Sequence, residues 1–159
     1  LKKYGRRHDR ARLSRTSTRR ILKGKIMLLI PENIRKKLIA NWQNEDENKD
    51  PFPVVKLFNP VGAATWLITE MVLGQPDILF GLCDLGFQCP ELGIVSLSEI
   101  ESIRLFGALG IERDRHFTAE FSLSIYAQAA RIHGQITFDK KALLQAKAGL
   151  ESEKRRLRN

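Results

Sequence analysis

The sequence predicts an α+β fold, an antiparallel meander sheet flanked by helices before and after it. Two observations carry this. Short apolar segments between residues 54 and 97 are joined by turn sequences of a few residues, shorter than the crossovers that parallel strands require. On either side of them lie segments whose apolar residues recur at helical spacing. No internal repeat is present.

The first helix is expected at Pro31 to Trp42. Pro31 suits the first helical position and Glu32 the positive end of the helix dipole. Ile30, Ile34, Leu38 and Trp42 make one apolar stripe, with Arg35, Lys36 and Lys37 largely elsewhere. The polar run NEDENKDPFP then ends the pattern with two prolines.

Val54–Phe58 is a short strand, β-branched at its start. Ala64–Met71 alternates, with Ala64, Trp66 and Ile68 on one face and Thr65, Leu67 and Thr69 on the other. Asp77–Leu85 is apolar on both faces and suits a central strand. Asn59-Pro60-Val61-Gly62 and Gly74-Gln75-Pro76 supply the turns. Gly93–Leu97 is a fourth strand.

Ser96-Leu97-Ser98-Glu99 matches a capping box and opens a short helix that stops before Gly107. Ile111–Phe117 reads as an edge strand. A helix is expected over Ser122 to His133, burying Leu123, Tyr126, Ala127 and Ala130, with Gly134 as its stop. Gln135–Phe138 reads as a last short strand. Asp139 then caps a helix running to the end of the chain. Leu143, Leu150 and Leu157 recur every seven residues without a second apolar row, which favours a docked or partly solvated helix over a coiled coil.

The 159 residues divide into a basic extension (1–26), one α+β domain (27–139) and a basic C-terminal helix (140–159). The net charge of +9 is unevenly spread. Residues 1–26 carry eleven Lys/Arg and one acid. Residues 27–139 carry nine basic and fifteen acidic residues, so the folded part is acidic. Residues 140–159 carry seven basic residues and two acids.

The extension has almost no apolar face and is expected to be disordered or loosely helical and to contribute little to folding. Three readings compete for it: a nucleic-acid-binding arm, an organellar transit peptide, or translation from upstream of the native start. The longest unbroken apolar run is Ile26 to Ile30, too short for a membrane span or a secretory core. A cytoplasmic protein with reduced thiols is the expectation.

Acidic residues are the catalytic candidates. Glu112 and Asp114 would share one face of a strand, with His116 two further on; Asp84 and Glu91 lie at strand ends or turns. Such a row could hold a divalent metal for phosphodiester hydrolysis. It reads more simply as the charged face of an edge strand, which keeps sheets from sticking together.

Cys83 and Cys89 are too widely spaced for the usual zinc pair and lack two further ligands, so no metal and no cofactor is predicted. They read as a core cysteine on a strand and a turn cysteine. No phosphate-loop glycine pattern is present. Trp66, Phe80 and Phe87 could stack bases, but no basic residues interleave with them.

If nucleic acid is bound, the contact belongs to the ends: Arg6, Arg7, Arg10, Arg12, Arg15, Arg19 and Arg20 before the domain, and Lys154, Arg155, Arg156 and Arg158 after it.

The segments KLFNP (56–60), TWLITEM (65–71), LCDLG (82–86), PELG (90–93), SLSE (96–99) and GIERD (110–114) resemble a bacterial family of unknown function. That family is carried on plasmids and other mobile elements, and some of its members are labelled Arp-like phasyl replicon protein. The resemblance spans roughly Met27 to Phe138 and departs most clearly at residues 1–26. It implies a part in maintenance, replication or transfer of a mobile element, or in conflict with a host, and supplies no catalytic residues. The expectation is a non-enzymatic accessory protein that binds a protein partner or nucleic acid. The alternative is a small metal-dependent nuclease or hydrolase using the acidic row.

Overall fold

The computed structural model describes residues 28–158. Their elements run α1 (Glu32–Trp42), β1 (Val55–Phe58), β2 (Thr65–Met71), β3 (Ile78–Asp84), β4 (Glu91–Ser96), α2 (Leu97–Ser102), β5 (Glu112–Arg113), α3 (Leu123–His133) and α4 (Lys140–Arg156). The five strands form one antiparallel sheet in the order β4-β3-β2-β1-β5. The predicted meander is present, and β5 pairs with the free side of β1. The sheet therefore has β4 at one edge and β5 at the other.

Alternation along the strands separates two cores. Val55 and Leu57 of β1, Trp66 and Ile68 of β2 and Leu79 of β3 face one side, where they pack with Leu38 of α1 and Leu97 and Ile100 of α2. Leu67 of β2 and Leu82 of β3 face the other side and meet Leu123, Tyr126, Ala129 and Ala130 of α3 with Leu143 and Ala146 of α4. The molecule is thus a sheet between two helical layers. Each fully buried Leu or Ile contributes roughly 1.5–3 kcal/mol relative to exposure.

The centre of the sheet is irregular. The β2–β3 register shifts between Ile68 and Glu70, leaving Thr69 as the extra residue of a bulge. Thr69 is held there by its hydroxyl, which donates to the Phe80 carbonyl at 3.3 Å, and by Asn41 Nδ2, which donates to the Thr69 carbonyl at 2.9 Å. Opposite the bulge stands Gly81. A Cβ at this position would lie 2.1 Å from the Leu67 carbonyl oxygen, so the close approach of the two strands requires glycine.

Several expectations are corrected. Gln135–Phe138 forms no strand, because the Ile136 N–H is taken by Asp84 Oδ2 at 2.8 Å instead of a ladder partner. The edge strand predicted over 111–117 shrinks to Glu112–Arg113. Asp114 ends it by accepting the His116 N–H at 3.0 Å, an Asx turn. The strand starting at Gly93 begins at Glu91 and yields Leu97 to α2. The bulge breaks the regular alternation read over Ala64–Met71. Trp42, placed on the apolar stripe of α1, is exposed.

Helix ends follow the sequence more closely. Ser96 caps α2 by accepting the Glu99 N–H at 3.1 Å. Asp139 caps α4, accepting the Ala142 N–H at 2.8 Å, and Gly134 ends α3 with a left-handed φ of 70°. α4 buries Ala142, Leu143 and Ala146, and Leu150 one turn further on is half-buried. Leu157 at its far end is exposed.

Candidate functional site

The five predicted acidic and histidine residues do not converge. Among the described residues no group of three or more His, Cys, Asp or Glu is arranged to hold a metal ion. Asp84 is the most buried of the five, and both its oxygens accept backbone N–H groups: Gly86 at 2.8 Å and Ile136 at 2.8 Å. It ties the β3–β4 hairpin to the link between α3 and α4.

Asp114 is paired with Lys56, whose Nζ donates to Oδ2 at 3.1 Å. Partial desolvation would raise the Asp114 pKa. The His116 N–H and the Lys56 ammonium outweigh it and hold the carboxyl below its ordinary value. Lys56 also lies 4.5 Å from the Phe138 ring centroid, a cation–π contact. Glu112 and His116 are exposed on either side of this pair. Glu91 opens β4, at the opposite edge of the sheet.

Cys83 is half-buried and Cys89 exposed, both free. Burial pushes the Cys83 thiol up to about 11, the reverse of what a nucleophilic cysteine needs. The proposed stacking platform does not form. Trp66 and Phe80 belong to opposite faces of the sheet, and Phe87 stands on the β3–β4 loop.

An open cleft of about 750 Å³ lies between the end of α1, the 44–54 loop and residues 117–119. None of the predicted site residues lines it. Three of its polar groups are turned to internal use. Asn41 holds the bulge, and Lys49 pairs with the buried Glu70 at 3.4 Å. Asp50 accepts the Ser124 N–H at 3.0 Å and also its hydroxyl. Burial alone would raise the Asp50 pKa, but hydrogen bonds from Ser122 and Ser124 outweigh it and keep the group below its ordinary value. A second cavity of about 490 Å³ lies beside β4, between Gln88–Leu92 and the α3 residues Ala127 and Arg131.

Of the basic residues assigned to nucleic acid, Arg6, Arg7, Arg10, Arg12, Arg15, Arg19 and Arg20 lie outside the described residues. Lys154, Arg155, Arg156 and Arg158 are all exposed. They sit on the last turn of α4 and just beyond it. Lys154 lies close enough to Asp50 for its charge to help lower that carboxyl's pKa, so the basic cluster begins beside the 44–54 loop and runs on to Arg158.

Asp50 and Lys56 were not singled out by sequence. Asp50 lay in a run read only as a polar loop, and its partner is 74 residues away. Lys56 is 58 residues from Asp114. No local signal marks either pair. Among the described residues no helix is long and apolar enough to cross a membrane.

A family model described as "Protein of unknown function (DUF2958)" matches residues 29–137. No curated protein and no solved structure matches the chain.

Proposed function

The chain belongs to the DUF2958 family of proteins of unknown function, and we propose that it is a non-enzymatic, cytoplasmic accessory protein of a plasmid or other mobile element that binds nucleic acid through its basic ends. The observation that carries this reading is the cluster of exposed basic residues at the end of α4. There Lys154, Arg155, Arg156 and Arg158 are all exposed on the last turn and just after it. The body over residues 27–139 is acidic and would repel phosphate, so contact is confined to the ends. The mobile-element context rests on the resemblance of the motifs between Lys56 and Asp114. The alternative, a metal-dependent nuclease or hydrolase on Glu112, Asp114, His116, Asp84 and Glu91, has less support. Two of these carboxylates are already engaged by the protein's own donors.

The test is fluorescence anisotropy of a labelled oligonucleotide against the full chain and a variant carrying Lys154→Gln, Arg155→Gln, Arg156→Gln and Arg158→Gln, at two salt concentrations. Binding should weaken with salt. The variant should bind less tightly, with a log–log salt slope shallower by about 0.9 for each duplex phosphate it no longer neutralises. Equal affinity and equal slope for both proteins would remove the α4 end from the interface. Cleavage of the oligonucleotide that requires a divalent metal would favour the hydrolase.

A further inference from the structure

The two edges of the sheet are built differently. β5 contributes two residues, Glu112 and Arg113, both charged. A short charged edge is one that other strands do not join. β4 contributes six residues, Glu-Leu-Gly-Ile-Val-Ser, with no lysine and no internal proline. Leu92 is 47% exposed and Ile94 is 69% exposed. Both point to the α3 face of the sheet, opposite Leu82 and Phe80 respectively. The apolar surface of that face therefore continues beyond the helices that cover it.

The hydrogen-bond phase of β4 follows from its neighbours. The Leu97 N–H donates to the Asp77 carbonyl at 2.8 Å, and the Val72 N–H donates to the Ile78 carbonyl at 3.0 Å. Odd-numbered residues of β3 therefore bond to β4, and Glu91, Gly93 and Val95 bond inward to Cys83, Gly81 and Leu79. The N–H and C=O groups of Leu92 and Ile94 point away from the sheet. They are unpaired among the described residues.

We infer that β4 pairs antiparallel with β4 of a second copy of this chain, centred on Gly93. The strand is complementary to itself in this register. Leu92 falls opposite Ile94 of the other copy, so the exposed apolar side chains meet on one face. Each such pair exchanges two backbone hydrogen bonds through the outward groups. The charged residue Glu91 falls opposite Val95 and not opposite its own copy. Pro90 and the Ser96 cap of α2 lie just outside the ladder, so neither loses a bond to it. A register moved by one residue would put Leu92 on the wrong face. A register centred on Ile94 would pair Leu92 with the Ser96 cap.

The one charged residue of the strand, Glu91, stands four positions from Glu91 of the other copy along the paired strands, so the two carboxylates do not meet. The buried area is a strip about 20 Å long on each copy. That places the dimer at the low end of specific interfaces, below about 1,200 Å² in total, where association is reversible.

Sedimentation equilibrium of the full chain over a concentration series reads this directly. The wild-type mass should rise toward twice the monomer mass, while Ile94→Lys should stay monomeric with an unchanged circular dichroism melt. A second experiment fixes the register. Gly93 pairs with Gly93 of the other copy at a non-hydrogen-bonded site, where Cα atoms sit about 4.5 Å apart, within disulfide reach. A Cβ added at Gly93 meets nothing within 4 Å. Gly93→Cys on a Cys89→Ser background should form a covalent dimer under mild oxidation, and the Cys89→Ser chain alone should not. A chain that stays monomeric at every concentration overturns the inference and leaves the edge to a different partner. A dimer indifferent to Ile94→Lys, or no cross-link in the Gly93→Cys variant, overturns it as well. None of these readouts depends on nucleic acid, so the dimer and the basic ends stand or fall separately.

Discussion

Helix α4 starts at its own Asp139, whose carboxylate accepts the N–H of Ala142 three residues on, whereas helix α3 starts under Asp50, a carboxylate 74 residues from the Ser124 N–H that it accepts. Both helices have the same need, since the first N–H groups of any helix lack partners within it. The N-cap residue of α3, Ser122, makes no side-chain capping bond, and the Leu123 N–H goes to the Pro51 carbonyl at 2.9 Å. The loop before β1 has taken over the task. A local cap stabilises its helix whether or not the rest of the chain is folded. A remote cap acts only when loop and helix are both in place, so it fastens one to the other.

Asp84 belongs with Asp50. It accepts one N–H from its own turn and one from Ile136, 52 residues away. Asp77 combines both modes. It accepts the Ser98 N–H and the Ser96 hydroxyl, each at 2.7 Å, and so braces a helix start that Ser96 already caps. The Ser96 hydroxyl bond, followed by the Ser98 N–H, holds the Asp77 carboxyl below its ordinary pKa.

Substitutions can break the comparison. The largest effect is expected at Asp84, which is 3% exposed. Asp84→Ala strands two backbone N–H groups and should lower the urea-unfolding stability by about 2–3 kcal/mol. A loss no larger than that of a surface substitution would mean that water replaces the carboxylate. The next effect is at Asp50. Asp50→Ala should cost about 1–2 kcal/mol, and amide exchange should quicken both in the first turn of α3 and in residues 49–53. Quickening in only one of the two would show that the bond does not fasten them.

The same bond carries a pH signature. The folded-state pKa of Asp50 is depressed. Its contribution is thus present above the unfolded carboxylate value of about 3.9 and is lost as pH falls through the folded value. The stability gap between wild type and Asp50→Ala should close on acidification below that range, and a gap independent of pH would refute the assignment. The smallest effect is at Asp139. Asp139→Ala should cost about 1 kcal/mol, and Asp139→Asn close to nothing, because Asn caps as well as Asp. If Asp139→Ala proved costlier than Asp50→Ala, the ranking of remote over local caps would be wrong.

The contrast also marks what could be read from the sequence. Ser96, Asp139 and Gly134 were legible because the chemistry of each lies within a few residues of it. So were the strands β1 to β4, from turn residues and apolar runs. The strand read at Gln135–Phe138 failed because its pattern says nothing of Asp84, which takes its N–H. The row Glu112, Asp114 and His116 failed as a strand face for a similar reason. Asp114 is short enough to bond its own backbone two residues on, and Lys56 reaches it across the sheet. The side on which each helix layer packs was not legible either, since alternation in β2 and β3 shows two buried faces without saying what covers them.

The remote carboxylates also bear on the order of assembly. The turns of the meander close loops of a few residues, so β1 to β4 can find one another early at small entropic cost. The Asp50–Ser124 and Asp84–Ile136 bonds close far longer loops and form once the α3 layer settles. Interactions that form after the rate-limiting step leave the speed of folding almost unchanged and act on unfolding. Asp50→Ala and Asp84→Ala are therefore expected to speed unfolding with little change in the folding rate, which stopped-flow chevron plots of the two variants would check.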